Sequence, residues 1–189
     1  MKQFSYYLLL LSIVFASCTD DNTNINDEDL PNSYTVTMDK GPYANQTFIL
    51  TDDPLIDKIN YKPSVQMTIL STDGLKEKNA NRLKSTSYIN FAFKGGLVPG
   101  NYSAIKLIDT VSNQIGNLDL YFSNTDEIII TIFKGAPIKI TEYGDVKGRI
   151  KGNIIIKSPI DFQTNNKPGY VNDATIKVDF DLKRGADIQ

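Results

Sequence analysis

The chain of 189 residues has no histidine, no tryptophan and a single cysteine. Without His there is no Ser-His-Asp triad, no Cys-His dyad and no His-ligated zinc or haem. The usual proton shuttle near neutral pH is missing as well. One Cys excludes an intrachain disulfide, Cys-ligated zinc and thiolate-held iron–sulfur clusters. An excess of one charge is also lacking: 20 Lys and Arg stand against 22 Asp and Glu, for a net charge of −2. Proteins that neutralise nucleic-acid phosphates need a basic face, so nucleic acid is not an expected partner. No Gly-rich phosphate loop precedes a helix, because Gly148 and Gly152 fall inside an alternating run. The sequence offers no catalytic constellation, no metal-ligand set and no cofactor motif.

Long apolar runs are rare too, and the main one is an address. Lys2 precedes residues 6–16, YYLLLLSIVFA, broken only by Ser12. A helix that spans a bilayer needs about 20 apolar residues, so this run has instead the length of a signal-peptide core. It ends in Phe15-Ala16-Ser17-Cys18, which resembles a bacterial lipobox: an apolar residue, two small residues, then Cys. The resemblance implies cleavage before Cys18 and a lipid thioether, including palmitate-type chains, on that residue. Several acyl chains on one residue give stable anchoring, at about 0.8 kcal/mol per buried methylene.

Residues 19–31 carry Asp20, Asp21, Asp27, Glu28 and Asp29, and no basic residue follows until Lys40. One sign of charge with few large apolar side chains reads as a disordered tether. An acidic cluster directly after the lipidated Cys resembles the export signal of surface lipoproteins in Bacteroidota. Carried over to Asp20 and Asp21, it implies an outer-membrane protein facing the cell exterior. The expected organisation is a signal peptide over 1–17, an acidic tether over 18–32 and a single folded domain over 33–189.

That domain reads as all β. Tyr34, Val36 and Met38 alternate with Thr35, Thr37 and Asp39. Ile89, Phe91 and Phe93 alternate with Tyr88 and Asn90, and Leu118, Leu120 and Phe122 with Asp119 and Tyr121. Ile176, Val178, Phe180 and Leu182 alternate with Lys177, Asp179, Asp181 and Lys183. Period-2 patterning means strands with one buried and one wet face. Residues 128–133, IIITIF, are apolar on both faces and belong in a central strand. Gly-Pro, Asp-Gly and Pro-Gly pairs punctuate the runs as turns. About nine or ten strands of this kind cover one another as a single antiparallel β-sandwich, with a closed lipocalin-like barrel as the alternative. Residues 146–157 read as one long strand with an outward Lys147, Arg149 and Lys151 stripe and an inward Gly148 and Gly152. Glycines on an inward face mark a bend or a close backbone approach. The basic stripe suits either an anion or cross-strand pairing with Asp179 and Asp181, and pairing is the simpler account.

The same stretch resembles a known family. Ile140-Thr141-Glu142-Tyr143-Gly144-Asp145-Val146-Lys147-Gly148-Arg149-Ile150-Lys151-Gly152, closed by residues 178–184 ending in Lys183-Arg184, is similar to a C-terminal hairpin of uncharacterised Bacteroidota surface lipoproteins. Pro99-Gly100-Asn101-Tyr102 resembles a turn common in the same proteins. The resemblance implies a surface β-sandwich and no particular activity.

Glycoside hydrolysis needs two carboxylates about 5–10 Å apart across a cleft. Asp52, Asp53, Asp57, Asp126, Glu127 and Glu142 are available, and nothing in the sequence selects a pair. Ten tyrosines are the more distinctive feature. Tyr88 and Tyr121 fall on polar strand faces, where a flat ring with a hydroxyl suits sugar stacking. Tyr43, Tyr61, Tyr102, Tyr143 and Tyr170 fall in or near turns. Asp109-Thr110-Val111 matches a short Bacteroidota O-glycosylation pattern, which makes Thr110 a candidate for modification. The expected function is a non-catalytic binding module for a glycan or another envelope protein. The alternatives are a structural envelope component or a carboxylate-based hydrolase.

Overall fold

The computed structural model describes residues 30–52, 59–78, 86–95, 97–106, 114–122 and 126–189. Cys18, Asp20, Asp21 and Thr110 lie outside the described residues, as do Asp53 and Asp57. Eleven strands follow one another: β1 (Asn32–Met38), β2 (Thr47–Asp52), β3 (Ile59–Lys62), β4 (Met67–Glu77), β5 (Ser87–Lys94), β6 (Gly100–Ile105), β7 (Gln114–Tyr121), β8 (Glu127–Phe133), β9 (Pro137–Tyr143), β10 (Arg149–Thr164) and β11 (Lys167–Lys183). Among the described residues there is no α-helix, only a short 3-10 turn over Pro63–Val65.

The strands pair in the order β3-β4-β2-β1-β11-β10-β8-β7-β5-β6-β9, with further pairings of β4 with β5 and of β10 with β9. The antiparallel sheet folds over on itself as a sandwich. Long strands belong to more than one neighbourhood. In β10, residues 150–154 pair with β9 and residues 160–163 with β8. In β4, residues 67–72 pair with β5 and residues 76–77 with β2. The space between the leaves is filled by a single apolar cluster that includes Phe48, Phe91, Phe93, Leu118, Ile130, Ile154 and Val178. A packed core takes the place of the lumen that the lipocalin-like alternative requires.

The alternation in the sequence is the alternation in burial. β1 reads buried, half-buried, buried along its length, and β11 alternates likewise from Ala174 to Leu182, with Lys177 exposed. β8 lies between β7 and β10, as its two apolar faces predict. The β10–β11 hairpin turns on Asn165 and Asn166, both at positive φ (52° and 62°). That is the backbone of a two-residue hairpin turn matching strand twist, and Asn tolerates it. A bulge then shifts the register: Ser158 faces Ala174, while Ile160 faces Val171. Asp173 takes up the extra residue at φ 52°.

Both ends of one expected strand move. The strand read over 146–157 begins at Arg149, not at Val146, and runs on to Thr164. Lys147 sits at φ 72°, and the Gly148 N–H donates to the Asp145 carbonyl at 2.7 Å, so residues 144–148 form a tight turn. Gly148 is therefore a turn residue. Gly152 does mark a close approach: a Cβ there would lie 2.3 Å from the Lys139 carbonyl oxygen.

Candidate functional site

Among the described residues, the basic stripe of β10 is consumed by structure. Arg149 is 2% exposed. Its Nε donates to Asp181 Oδ1 at 2.7 Å, and its other nitrogens donate to the carbonyls of Leu30, Pro31 and Asp181. Lys151 pairs with Glu142 at 2.8 Å, across the β9–β10 register. Lys177 pairs with its own neighbour Asp179 at 2.7 Å. Lys147 leaves the stripe in the turn before β10, and the two cations that stay on it are both paired.

Several tyrosines are structural as well. Tyr43 stacks on Phe122 at 4.8 Å between centroids, and its hydroxyl donates to Asp126 at 3.2 Å. Asp126 also accepts from the backbone N–H of Asn165, which ties the chain between β7 and β8 to the β10–β11 hairpin tip. Tyr102 packs on Phe93 and donates to the Val98 carbonyl at 2.7 Å. Tyr143 lies under the Arg184 guanidinium at 5.2 Å, and burial raises its phenol above the ordinary value.

Tyr88 and Tyr121 are different. Strand pairing puts them on one outward face. Tyr88 of β5 lies opposite Asp119 of β7, and Tyr121 is two residues further along β7. Side chains two apart on a strand share a face, and the diagonal Tyr88–Tyr121 spacing is within reach of long aromatic side chains. Both rings are half-buried, so each keeps a solvent-facing part.

Asp119 lies at the centre. Its cross-strand neighbours are Tyr88 on one side and Ile129 of β8 on the other. It occupies an outward position, between the core residues Leu118 and Leu120, yet it is only 4% exposed. Tyr88 donates its hydroxyl hydrogen to the carboxylate, and Asn117 donates to the Tyr88 oxygen. Asn117 in turn accepts from Gln114 Nε2 at 2.7 Å and donates its backbone N–H to Asn90 Oδ1 at 3.1 Å. This network leaves Asp119 Oδ1 without a hydrogen-bond partner. Burial raises the Asp119 carboxyl above its ordinary value of 3.8, and the Glu127 charge adds to the rise while the Tyr88 hydrogen bond opposes it. The Tyr88 phenol is raised chiefly by its bond to Asp119. That of Tyr121 is raised by burial and by the charges of Asp119 and Glu127.

The face continues across the sheet. One register row runs Tyr88, Asp119, Ile129, Asp161, Tyr170. The next runs Tyr121, Glu127, Gln163, Pro168. Tyr170, expected near a turn, is on β11 and is 56% exposed. The β11 bulge sets its facing, because one extra residue exchanges inward and outward positions. Sequence reasoning passed over Asp119 as an ordinary polar-face residue. Its signal was a carboxylate between two leucines, but only the register places it against Tyr88.

Among the described residues, no group of three or more His, Cys, Asp or Glu is placed to hold a metal ion. None of their helices is long and apolar enough to cross a membrane. Of the other carboxylates considered for hydrolysis, Asp126 is a structural tie and Glu142 an exposed partner of Lys151, while Glu127 borders the tyrosine face. No family model, curated protein or solved structure matches the chain.

Proposed function

We propose that this chain is a lipid-anchored binding module of the outer-membrane surface, attached through Cys18, whose Tyr88–Asp119–Tyr121 face takes a glycan. The anchor and the Asp20-Asp21 export signal rest on sequence. The fold adds a firm exit point for the tether, since Arg149 grips the carbonyls of Leu30 and Pro31. The observation that carries the binding reading is Asp119: a 4% exposed carboxylate with an unpartnered oxygen, next to two tyrosines on an outward face. Sugars present apolar C–H faces and hydroxyl donors together. Tyrosine rings cover the first and a carboxylate accepts from the second.

A glycan array probed with the full chain in detergent micelles tests this. Binding that is lost in both Tyr88→Ala and Tyr121→Ala supports it. Binding unchanged by either substitution, or no glycan bound at all, removes the glycan reading and leaves a protein partner.

A hydrolase is the second reading, favoured by the desolvated Asp119 beside Glu127. Geometry counts against it. The two carboxylates lie on the same face of adjacent strands, so both sit on one side of a ligand resting there. Glycosidic cleavage needs carboxyl groups that flank the scissile bond. Release of reducing sugar from any glycan that binds, abolished by Glu127→Gln, would restore the enzymatic reading.

A further inference from the structure

Charge on the tyrosine face narrows what it takes. The two register rows that hold Tyr88, Tyr121 and Tyr170 also hold Asp119, Glu127 and Asp161, and no Lys or Arg occupies a position in either row. The neighbouring row of Asn90, Asn117 and Thr131 is uncharged. Elsewhere on the same sheet, carboxylates are matched by cations: Asp181 by Arg149, Glu142 by Lys151, Asp179 by Lys177. A buried carboxylate without a counter-charge is unfavourable, and a neutral sugar hydroxyl relieves only part of that.

We propose, resting on the glycan reading above, that the face selects sugar chains bearing a free protonated amino group, with the ammonium seated on Asp119 beside the Tyr88 and Tyr121 rings. An ammonium supplies a charge-assisted donor to the Asp119 carboxylate, in a bond roughly twice as strong as a neutral one, and it meets Oδ1, which is itself covered, only when the side chain turns. Its positive charge is attracted to the faces of tyrosine rings. A carboxylate turns readily about its terminal torsion, which is broad, so either oxygen can meet the incoming donor. Glu127 lies next to Tyr121 and adds to the negative field. The same field repels uronic acids and sulfated sugars.

The row also gives the ligand a direction. From Asp119 it crosses β8 to Asp161 on β10 and the exposed Tyr170 on β11. Neighbouring strands are about 4.8 Å apart, so these positions span several sugar units rather than one. A second amino sugar further along the chain meets Asp161 and Tyr170.

The full chain in detergent micelles is titrated with four probes of matched length: a glucosamine oligomer with free amines, its N-acetylated counterpart, a uronic-acid oligomer and oligolysine. The free-amine oligomer is expected to bind about tenfold tighter than the acetylated one, the scale of one good charged contact. The uronic-acid oligomer is expected not to bind. Asp119→Asn brings the free-amine to acetylated ratio close to one, and a urea midpoint no lower than that of the wild type separates the effect from misfolding. Asp161→Asn weakens the free-amine oligomer but not glucosamine itself, titrated as a fifth probe. Equal binding of free and acetylated oligomers overturns the amine selection and leaves the glycan reading standing. Tightest binding by the uronic acid overturns it too. Oligolysine bound more tightly than any sugar overturns it in favour of a basic peptide. If no sugar binds, the glycan reading itself fails and this inference goes with it.

Discussion

Replacing Asp119 by Asn is expected to make the protein more stable at neutral pH, against the usual direction of substitutions. The wild-type carboxylate is 4% exposed and one of its oxygens has no partner. Leaving a buried polar atom unsatisfied costs about 1–3 kcal/mol, and more when the group is charged. Asn keeps an oxygen to accept the Tyr88 hydroxyl and removes the charge. Its amide brings two new donors, which return part of the gain. The net expectation is about 1 kcal/mol in favour of the variant. The pH dependence sharpens the test. Burial raises the folded-state pKa of Asp119 above the ordinary 3.8, so the folded protein binds this proton more tightly than the unfolded chain does. The penalty is therefore fully present above the folded pKa. It fades as pH falls through that value and is gone below about 3.8. Urea denaturation of both proteins from pH 7 down to pH 4 reads the difference directly. The advantage of the variant should shrink as pH falls. A variant less stable than wild type at pH 7, or an advantage that grows on acidification, would refute the account of Asp119 as a carboxylate held at a cost.

Arg149→Met should lower stability by about 3 kcal/mol, the lower end for a broken buried ion pair. The lower end applies because the Asp181 side chain is 33% exposed and rehydrates, and a loss under about 1 kcal/mol in the same urea assay would remove the clamp on Leu30 and Pro31. Gly152→Ala should cost about 1–3 kcal/mol by overpacking, since the added Cβ meets the Lys139 carbonyl oxygen at 2.3 Å and Phe180 at 3.0 Å. A thermal melt unchanged from wild type would contradict that contact. Cys18→Ala should lose all incorporation of a palmitate analogue, and equal labelling of variant and wild type would sink the lipoprotein reading. Replacing Asp20 and Asp21 together should reduce surface exposure in protease-shaving assays while leaving labelling intact.

The sequence disclosed the strands because alternation is a local property. Tyr34, Val36 and Met38 point inward wherever β1 happens to pair, so the buried set is readable before any partner is known. The candidate site is a property of register, which is not local. Tyr88 and Tyr121 were readable as outward-facing, and the structure brings them to one face. Asp119 was readable only as polar, because its burial comes from strands β5 and β8 lying beside it. Tyr170 was out of reach for a different reason. Its side is set by the extra residue at Asp173, and a one-residue shift exchanges the two faces of a strand. The start of β10 was misplaced because Val146 to Gly148 continue the period in sequence, while Lys147 leaves the extended region in the backbone.

The cost at Asp119 bears on where a ligand belongs. Directly beneath it, Leu118, Leu120, Ile128 and Ile130 are at most 1% exposed. Each such side chain contributes roughly 1.5–3 kcal/mol when fully buried, so β7 and β8 carry an unpaired carboxylate without losing their place in the sheet. Asp126 holds the chain between those strands to the hairpin tip, so the row from Tyr88 to Tyr170 stays aligned. An aligned face that retains one unsatisfied acceptor is partly preorganised: a donor that arrives there has only the carboxylate to turn, while the strands that carry it are already paired. On the binding reading proposed above, the energy withheld from folding at Asp119 is regained when a donor binds. Two of the other carboxylates weighed for function offer no such return. Asp126 already holds a phenol and a backbone amide, and Glu142 already has its lysine. On the binding reading proposed above, a ligand sits at Asp119, where the fold leaves an acceptor unfilled.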